Sequence, residues 1–125
     1  MKFLSQEFLD ALPDADRAPF GDATGVISVK TEGGPDGKVA VTVELEHGRV
    51  VGARPKASKE AAVELAAPYE LAAELFRGDA DPAVEFMRGN LKMSGDMGLW
   101  LEILPAWHRH VVAGNPHPVV AATEF

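Results

Sequence analysis

Phe76-Arg77-Gly78-Asp79-Ala80-Asp81-Pro82-Ala83-Val84-Glu85-Phe86-Met87-Arg88-Gly89-Asn90-Leu91-Lys92-Met93-Ser94-Gly95-Asp96-Met97-Gly98-Leu99 decides the fold, because secondary structure changes several times within it. Gly78 closes a helix that runs in from Pro68, where Tyr69, Ala72, Ala73 and Phe76 form one apolar stripe at helical spacing. Asp81-Pro82 is a cap followed by a proline suited to the first helical position, so a short second helix opens there and closes at Gly89. Leu91 to Ser94 is a short strand with Leu91 and Met93 inward. A last helix starts around Gly95-Asp96, and Pro105 is expected to break or kink it.

Toward the N-terminus the period is that of strands. Glu60 to Ala67 places Ala61, Val63, Leu65 and Ala67 on one face. Arg49 to Ala57 places Val51, Ala53 and Ala57 on one side, and Pro55 within it marks an edge strand. Lys38 to Glu46 alternates strictly, with Val39, Val41, Val43 and Leu45 inward, and His47-Gly48 turns it into the next strand. Val26 to Thr31 is β-branched and ends at Gly33-Gly34-Pro35-Asp36-Gly37, the clearest turn cluster. Before these, Ser5 caps a helix that buries Phe8, Leu9 and Leu12, with Leu4 stapled against Leu9, and Pro13 ends it. The expected order is helix, three strands, a fourth strand, two helices, a fifth strand and a helix. Strands and helices are partly segregated, so the class is α+β rather than a doubly wound sheet.

The 125 residues suit one domain spanning 1–125, and 46% hydrophobic with 25% charged residues is an ordinary globular balance. With zero cysteines there is neither a disulfide framework nor thiolate chemistry. Met1 to Glu7 turns polar too soon for a secretory signal, and a cytoplasmic location is expected. A net charge of −7 argues against nucleic-acid binding and against stable docking on anionic lipid surfaces. Transient membrane contact and a homodimer stay open.

The quoted stretch resembles the sterol carrier protein type 2 family. There too a helix ending in glycine, a short Asp-Pro helix, a Gly-x-Leu-Lys strand leading to Gly-Asp-Met, and a closing helix follow one another, as Gly89 to Met97 do here. The resemblance implies a five-stranded sheet covered by helices on one face, with an apolar cavity between sheet and helices that takes a sterol, fatty acyl chain or similar lipid, and it implies binding and transfer with no catalytic residue and no cofactor. Trp100 is bulkier than the family's usual residue and is expected to narrow or reshape that cavity.

Taken with that resemblance, the expected apolar lining is Phe76, Phe86, Met87, Met93, Met97, Trp100, Leu101 and Leu104. The last helix sets Met97, Trp100, Leu101 and Leu104 on one face and Leu99 and Ile103 on a neighbouring one. It therefore buries two faces, meets a partner, or lines a cavity. Methionines at 87, 93 and 97 are by themselves more often gap-filling core than a ligand site, and it is the resemblance that turns them toward an adaptable pocket. Catalytic and metal candidates are weak: His108-x-His110 lacks a nearby cysteine or carboxylate in sequence, and no calcium loop or nucleotide motif is present. The alternative is an enzyme of secondary metabolism using the same cavity, with Trp100 or Tyr69 shaping the substrate and His108 as acid or base.

Overall fold

The computed structural model describes all 125 residues. Its sheet is built around the β-branched run of β1 (Gly25–Gly34), followed by β2 (Gly37–Glu46), β3 (Arg49–Pro55), β4 (Val63–Pro68) and β5 (Lys92–Gly95). The strand order is β3-β2-β1-β4-β5, antiparallel except where β4 runs parallel to β1. Register sets Ile27 beside Val43 and Val63, Val29 beside Val41 and Leu65, and Thr31 beside Val39 and Ala67. All nine side chains therefore project from one face, since side chains alternate along a strand.

Helices α1 (Gln6–Ala11), α2 (Tyr69–Arg77), α3 (Pro82–Met87) and α4 (Met97–Val112), with a 3-10 turn at Pro118–Ala122, complete the chain. The starts of α1, α3 and α4 follow capping side chains, while α2 starts behind Pro68 without one. Ser5 Oγ accepts from Phe8 N, Asp81 Oδ1 from Ala83 N, and Asp96 Oδ1 from Leu99 N. α1 lies over β3, α2 over β1 and β4, and α4 over β4 while packing on α3. No helix is long and apolar enough to cross a membrane. The opposite sheet face is roofed where the chain crosses from β3 to β4. There Thr42 Oγ1 donates to Lys56 O at 2.7 Å and Ser58 N donates to Ser28 Oγ at 3.1 Å. These bonds explain how Ser28 and Thr42 are both 0% exposed.

Four local expectations change. Val51 is not inward: a bulge opposite Glu44 and Leu45 makes it the extra residue, so Val50 is buried and Val51 points out. The fourth strand begins at Val63, because Glu60 to Ala62 belong to the crossover. Pro105 does not break α4. It is exposed on the outer side, where water can satisfy the carbonyl it leaves unpaired, while Trp100, Ile103 and Ala106 hold the inner side. That inner stripe is rotated from the expected one, and Met97 and Leu101 face outward.

Gly95 shows why the motif needs glycine. Its φ is +110°, and a Cβ there would stand 2.2 Å from Ala62 O, so no side chain fits where β5 turns into α4. Trp100 follows at the first turn of α4, fully buried, its ring edge-on to Phe86 at 5.3 Å, with Nε1 lacking any hydrogen-bond partner.

That orphan donor separates two substitutions. Trp100→Ala opens a cavity and should cost about 3–5 kcal/mol. Trp100→Phe keeps most of the ring and removes an unpaired donor worth roughly 1–3 kcal/mol, so it should lie within about 1 kcal/mol of the parent. Urea unfolding of both variants checks this; a phenylalanine form as unstable as the alanine form would contradict it.

Candidate functional site

Val29 and Val43 stand in β1 and β2, two of the three inner strands, on the covered face, yet both are only half-buried. Close packing would bury them completely. The space above them is a cavity of about 250 Å³, and 21 of its 31 lining residues are hydrophobic. Its floor includes Ile27, Val29, Val41 and Val43, and its walls come from Phe8 and Leu9 of α1, Leu75 and Phe76 of α2, and Ile103 and Trp107 of α4. A void of this size and lining has too few polar groups to hold ordered water well and favours an apolar occupant.

One wall is aromatic. Phe8 meets Phe76 edge-to-face at 5.0 Å, and Phe3 meets Phe8 at 5.1 Å, tying α1 to α2. Beyond Phe76 stand Phe125 and His117, with ring centroids 6.5 and 5.9 Å away. Phe125 in turn carries the Arg77 guanidinium over its ring at 4.7 Å.

The remaining lining includes the polar side chains of Arg17, Thr31, Arg77, His110, Asn115 and His117. Arg17, on the loop after α1, donates through Nη2 to the carbonyls of Asn115 and Pro116 and approaches His110 Nε2 at 3.3 Å. An arginine has only donors, so His110 Nε2 must be the acceptor and the ring is neutral with its proton on Nδ1. Burial, and then the Arg17 charge, hold the His110 pKa below its ordinary value, with a backbone hydrogen bond to Asn115 opposing them. His117 is also spoken for: Val119 N donates to its Nδ1 at 3.0 Å, so its Nε2–H donates to Leu12 O at 2.9 Å.

Of the eight side chains nominated from sequence, Phe76 lines this cavity. Trp100 is buried outside it, so it does not narrow the space; Phe86, Met93 and Leu104 pack behind against the core. Met87, Met97 and Leu101 are 87%, 52% and 58% exposed, and lie on the outer surface. The lining of α1, Arg17, Phe20 and the strand valines was missed. The valines were visible as an alternating pattern, but nothing in that pattern separates lining from core. His108 does have a carboxylate neighbour: its Nδ1 lies 2.7 Å from Asp81 Oδ2, tying α4 to the start of α3. His108 stands outside the cavity lining.

The family model described as the SCP-2 sterol transfer family matches residues 6–104. Among solved structures the chain is similar to the sterol carrier protein domain 2 of Helicoverpa armigera, at 18% identity and TM-score 0.65, covering 85% of this chain and 87% of that one. It is similar to a crystal structure of sterol carrier protein 2, at 23% identity and TM-score 0.64, covering 90% and 94%. It is also similar to palmitated SCP2L2 from Aedes aegypti, at 15% identity and TM-score 0.58, covering 70% and 75%. At these identities the likeness is one of fold. No curated protein sequence matches the chain.

The His110 shift makes stability depend on pH. Below the ordinary histidine value of 6.5, the unfolded chain takes up a proton that folded His110, its pKa lowered, still refuses. Folding therefore loses free energy as pH falls through that value, until the folded group titrates as well. His110→Gln should abolish this part of the slope while preserving an acceptor for Arg17. Urea unfolding of both proteins between about pH 5 and 8 should show the parent weakening faster on acidification than the variant; parallel curves would disprove it.

Proposed function

The chain belongs to the SCP-2 sterol transfer family, and we propose that the whole of it acts as one lipid-binding domain, enclosing a fatty acyl chain, sterol or similar apolar molecule and releasing it chemically unchanged. The observation that carries this reading is the pair of half-buried inner-strand valines, Val29 and Val43, facing an apolar cavity of about 250 Å³. Ordinary packing would close that space at a gain in stability. A ligand that fills it recovers the same dispersion and transfer energy.

The magnitudes suit a carrier. Each buried methylene contributes ~0.8 kcal/mol, so a 16-carbon chain offers roughly 12 kcal/mol before the costs of association. Those costs remove several kcal/mol or more and leave binding that is useful yet reversible. The volume sits just under the roughly 300–1,000 Å³ of common ligand pockets. A slender flexible chain suits it better than a bulky ring system without adjustment of the walls. The Aedes aegypti neighbour, named as palmitated, supports a fatty acyl occupant. We place the ligand contacts at Phe8, Val29, Val43, Phe76, Ile103 and Trp107, all of which line the cavity.

A non-catalytic role agrees with the polar lining. Arg17 and His110 face each other, and His117 is committed to Leu12 and Val119, so no lining histidine has a nucleophile to activate.

Saturating hexadecanoate, at about a hundredfold over its Kd, should stabilise the fold by roughly 2.7 kcal/mol and raise the melting midpoint by several degrees. Val43→Trp should fill the cavity, keep the protein folded and remove that rise. If neither fatty acids, acyl thioesters nor sterols move the melting curve of the parent, the carrier reading is wrong.

A further inference from the structure

We propose that a second copy of this chain docks on the outer face of α4, forming a two-fold pair in which the two α4 helices run antiparallel. The inference does not depend on the cavity, which α4 lines from its inner side through Ile103, Trp107 and His110.

The outer face of α4 is apolar, and nothing in the molecule covers it. Met97, Leu101, Pro105 and Val112 are all exposed, Val112 by 69%. α3, packed on α4, adds the exposed Val84 and Met87. Single exposed apolar side chains are ordinary, but a helix that faces water normally gives that side to charges. Between Met97 and Val112 the chain has one acidic residue, Glu102, and one arginine, Arg109, with no lysine. A contiguous apolar surface of this kind marks an interaction site.

Spacing and charge say what docks there. Leu101, Pro105, His108 and Val112 follow one another at intervals of four, three and four, the seam of two helices packed at a shallow angle. Glu102 and Arg109 each stand one position after a seam residue, so they lie two turns apart along the same flank. That is too far for the pairing a helix supports within itself, and neither side chain joins an ion pair of the fold. A two-fold axis beside Pro105 brings them together. In an antiparallel pair each flank meets its own counterpart, so Glu102 faces Arg109 of the second copy, and the contact repeats across the axis. A parallel pair would set this flank against the other one, where Leu104 and Val111 hold the matching positions, and both charges would lack a partner. A bilayer offers no such pairing, and a net charge of −7 repels an anionic one.

Pro105 adds an independent mark. It has no N–H, so the carbonyl of Leu101, four residues earlier, has no donor within the helix and opens toward the exposed side. In the antiparallel pair Leu101 comes level with Arg109 of the second copy, whose five donors can serve this carbonyl as well as Glu102. The bond that Pro105 removes from the helix is one that a second copy can replace.

Sedimentation in about 0.15 M salt, which screens net-charge repulsion beyond ~8 Å, should show the parent as a concentration-dependent dimer with a Kd of roughly micromolar order. Leu101→Glu, on an exposed side chain, should leave a folded monomer that binds hexadecanoate as the parent does, so a failure of the cavity reading would show separately. Val112→Glu serves if that variant does not fold. Glu102→Arg sets arginine against arginine twice in the pair and should weaken the dimer about fivefold or more. Adding Arg109→Glu to it should restore the Kd to within about twofold. A parent that stays monomeric at about 100 μM overturns the proposal. If that monomer instead sediments with phosphatidylcholine vesicles and Leu101→Glu does not, the face belongs to a membrane and the second copy is overturned as its occupant. A dimer that survives both Leu101→Glu and Val112→Glu overturns the use of α4. A double swap no tighter than Glu102→Arg alone overturns the antiparallel register.

Discussion

The cavity exists because α1 and α2 are tied to each other above the sheet. Phe8 and Phe76 meet edge-to-face, and Phe3 closes on both at 5.1 and 5.8 Å, making a pillar at one end. Tyr69 adds its ring to Phe3 at 5.6 Å, and the segments 1–3 and 122–124 bond to one another through Met1, Phe3 and Glu124. With the helices spaced by ring-on-ring contact, neither can settle onto Val29 and Val43. At the other end Phe20 and Trp107 meet at 5.8 Å and hold the loop after α1 against α4. Aromatic rings are stiff and large, so such pillars resist collapse better than aliphatic chains.

Keeping that space open has a definite cost. The side chains around it forgo the contacts that a filled core would give them. The rest of the molecule offsets it with ordinary means. An 18-residue core surrounds the void, and three of the four α-helices, α1, α3 and α4, start at a side-chain cap, from Ser5, Asp81 and Asp96. The far sheet face is stitched by Ser28 and Thr42 to the crossover. A ligand would restore part of the forgone energy, which couples occupancy to stability by the same physics that makes cores pack.

Element order was legible because each boundary has a local cause: Ser5, Asp81-Pro82, Gly78 and Gly95 act within a few residues of themselves. The site was much less legible, since lining depends on distance across the fold. Val43 and Leu45 share one alternating pattern, yet Leu45 is 3% exposed and Val43 is left half-buried, a difference set by helices far away in sequence. The rotation of α4 was misjudged for a similar reason. Met97, Leu101, Trp100 and Ile103 are all apolar, so hydrophobicity cannot phase the helix; packing of Trp100 on Phe86 does. Arg17 carried no signal, because its partners at Asn115 and Pro116 are 98 and 99 residues away.

This separates the part of the chain that announces the family from the part that shapes the cavity. Gly89 to Met97 is recognisable because its residues have hard geometric duties. Gly95 occupies a φ and a contact that bar any side chain, Asp96 caps α4, and Leu91 is 2% exposed beneath the turn. Such duties restrict identity tightly and ask nothing of a ligand. The cavity asks only for apolar bulk along Ile27, Val29, Val41, Val43, Leu75 and Ile103, a demand that many residues meet. Rearranging those side chains changes the size and shape of the space while leaving β5 and the α4 cap untouched. Fold and cavity shape are thus written in different residues, the first in a few geometrically constrained positions and the second in exchangeable apolar volume.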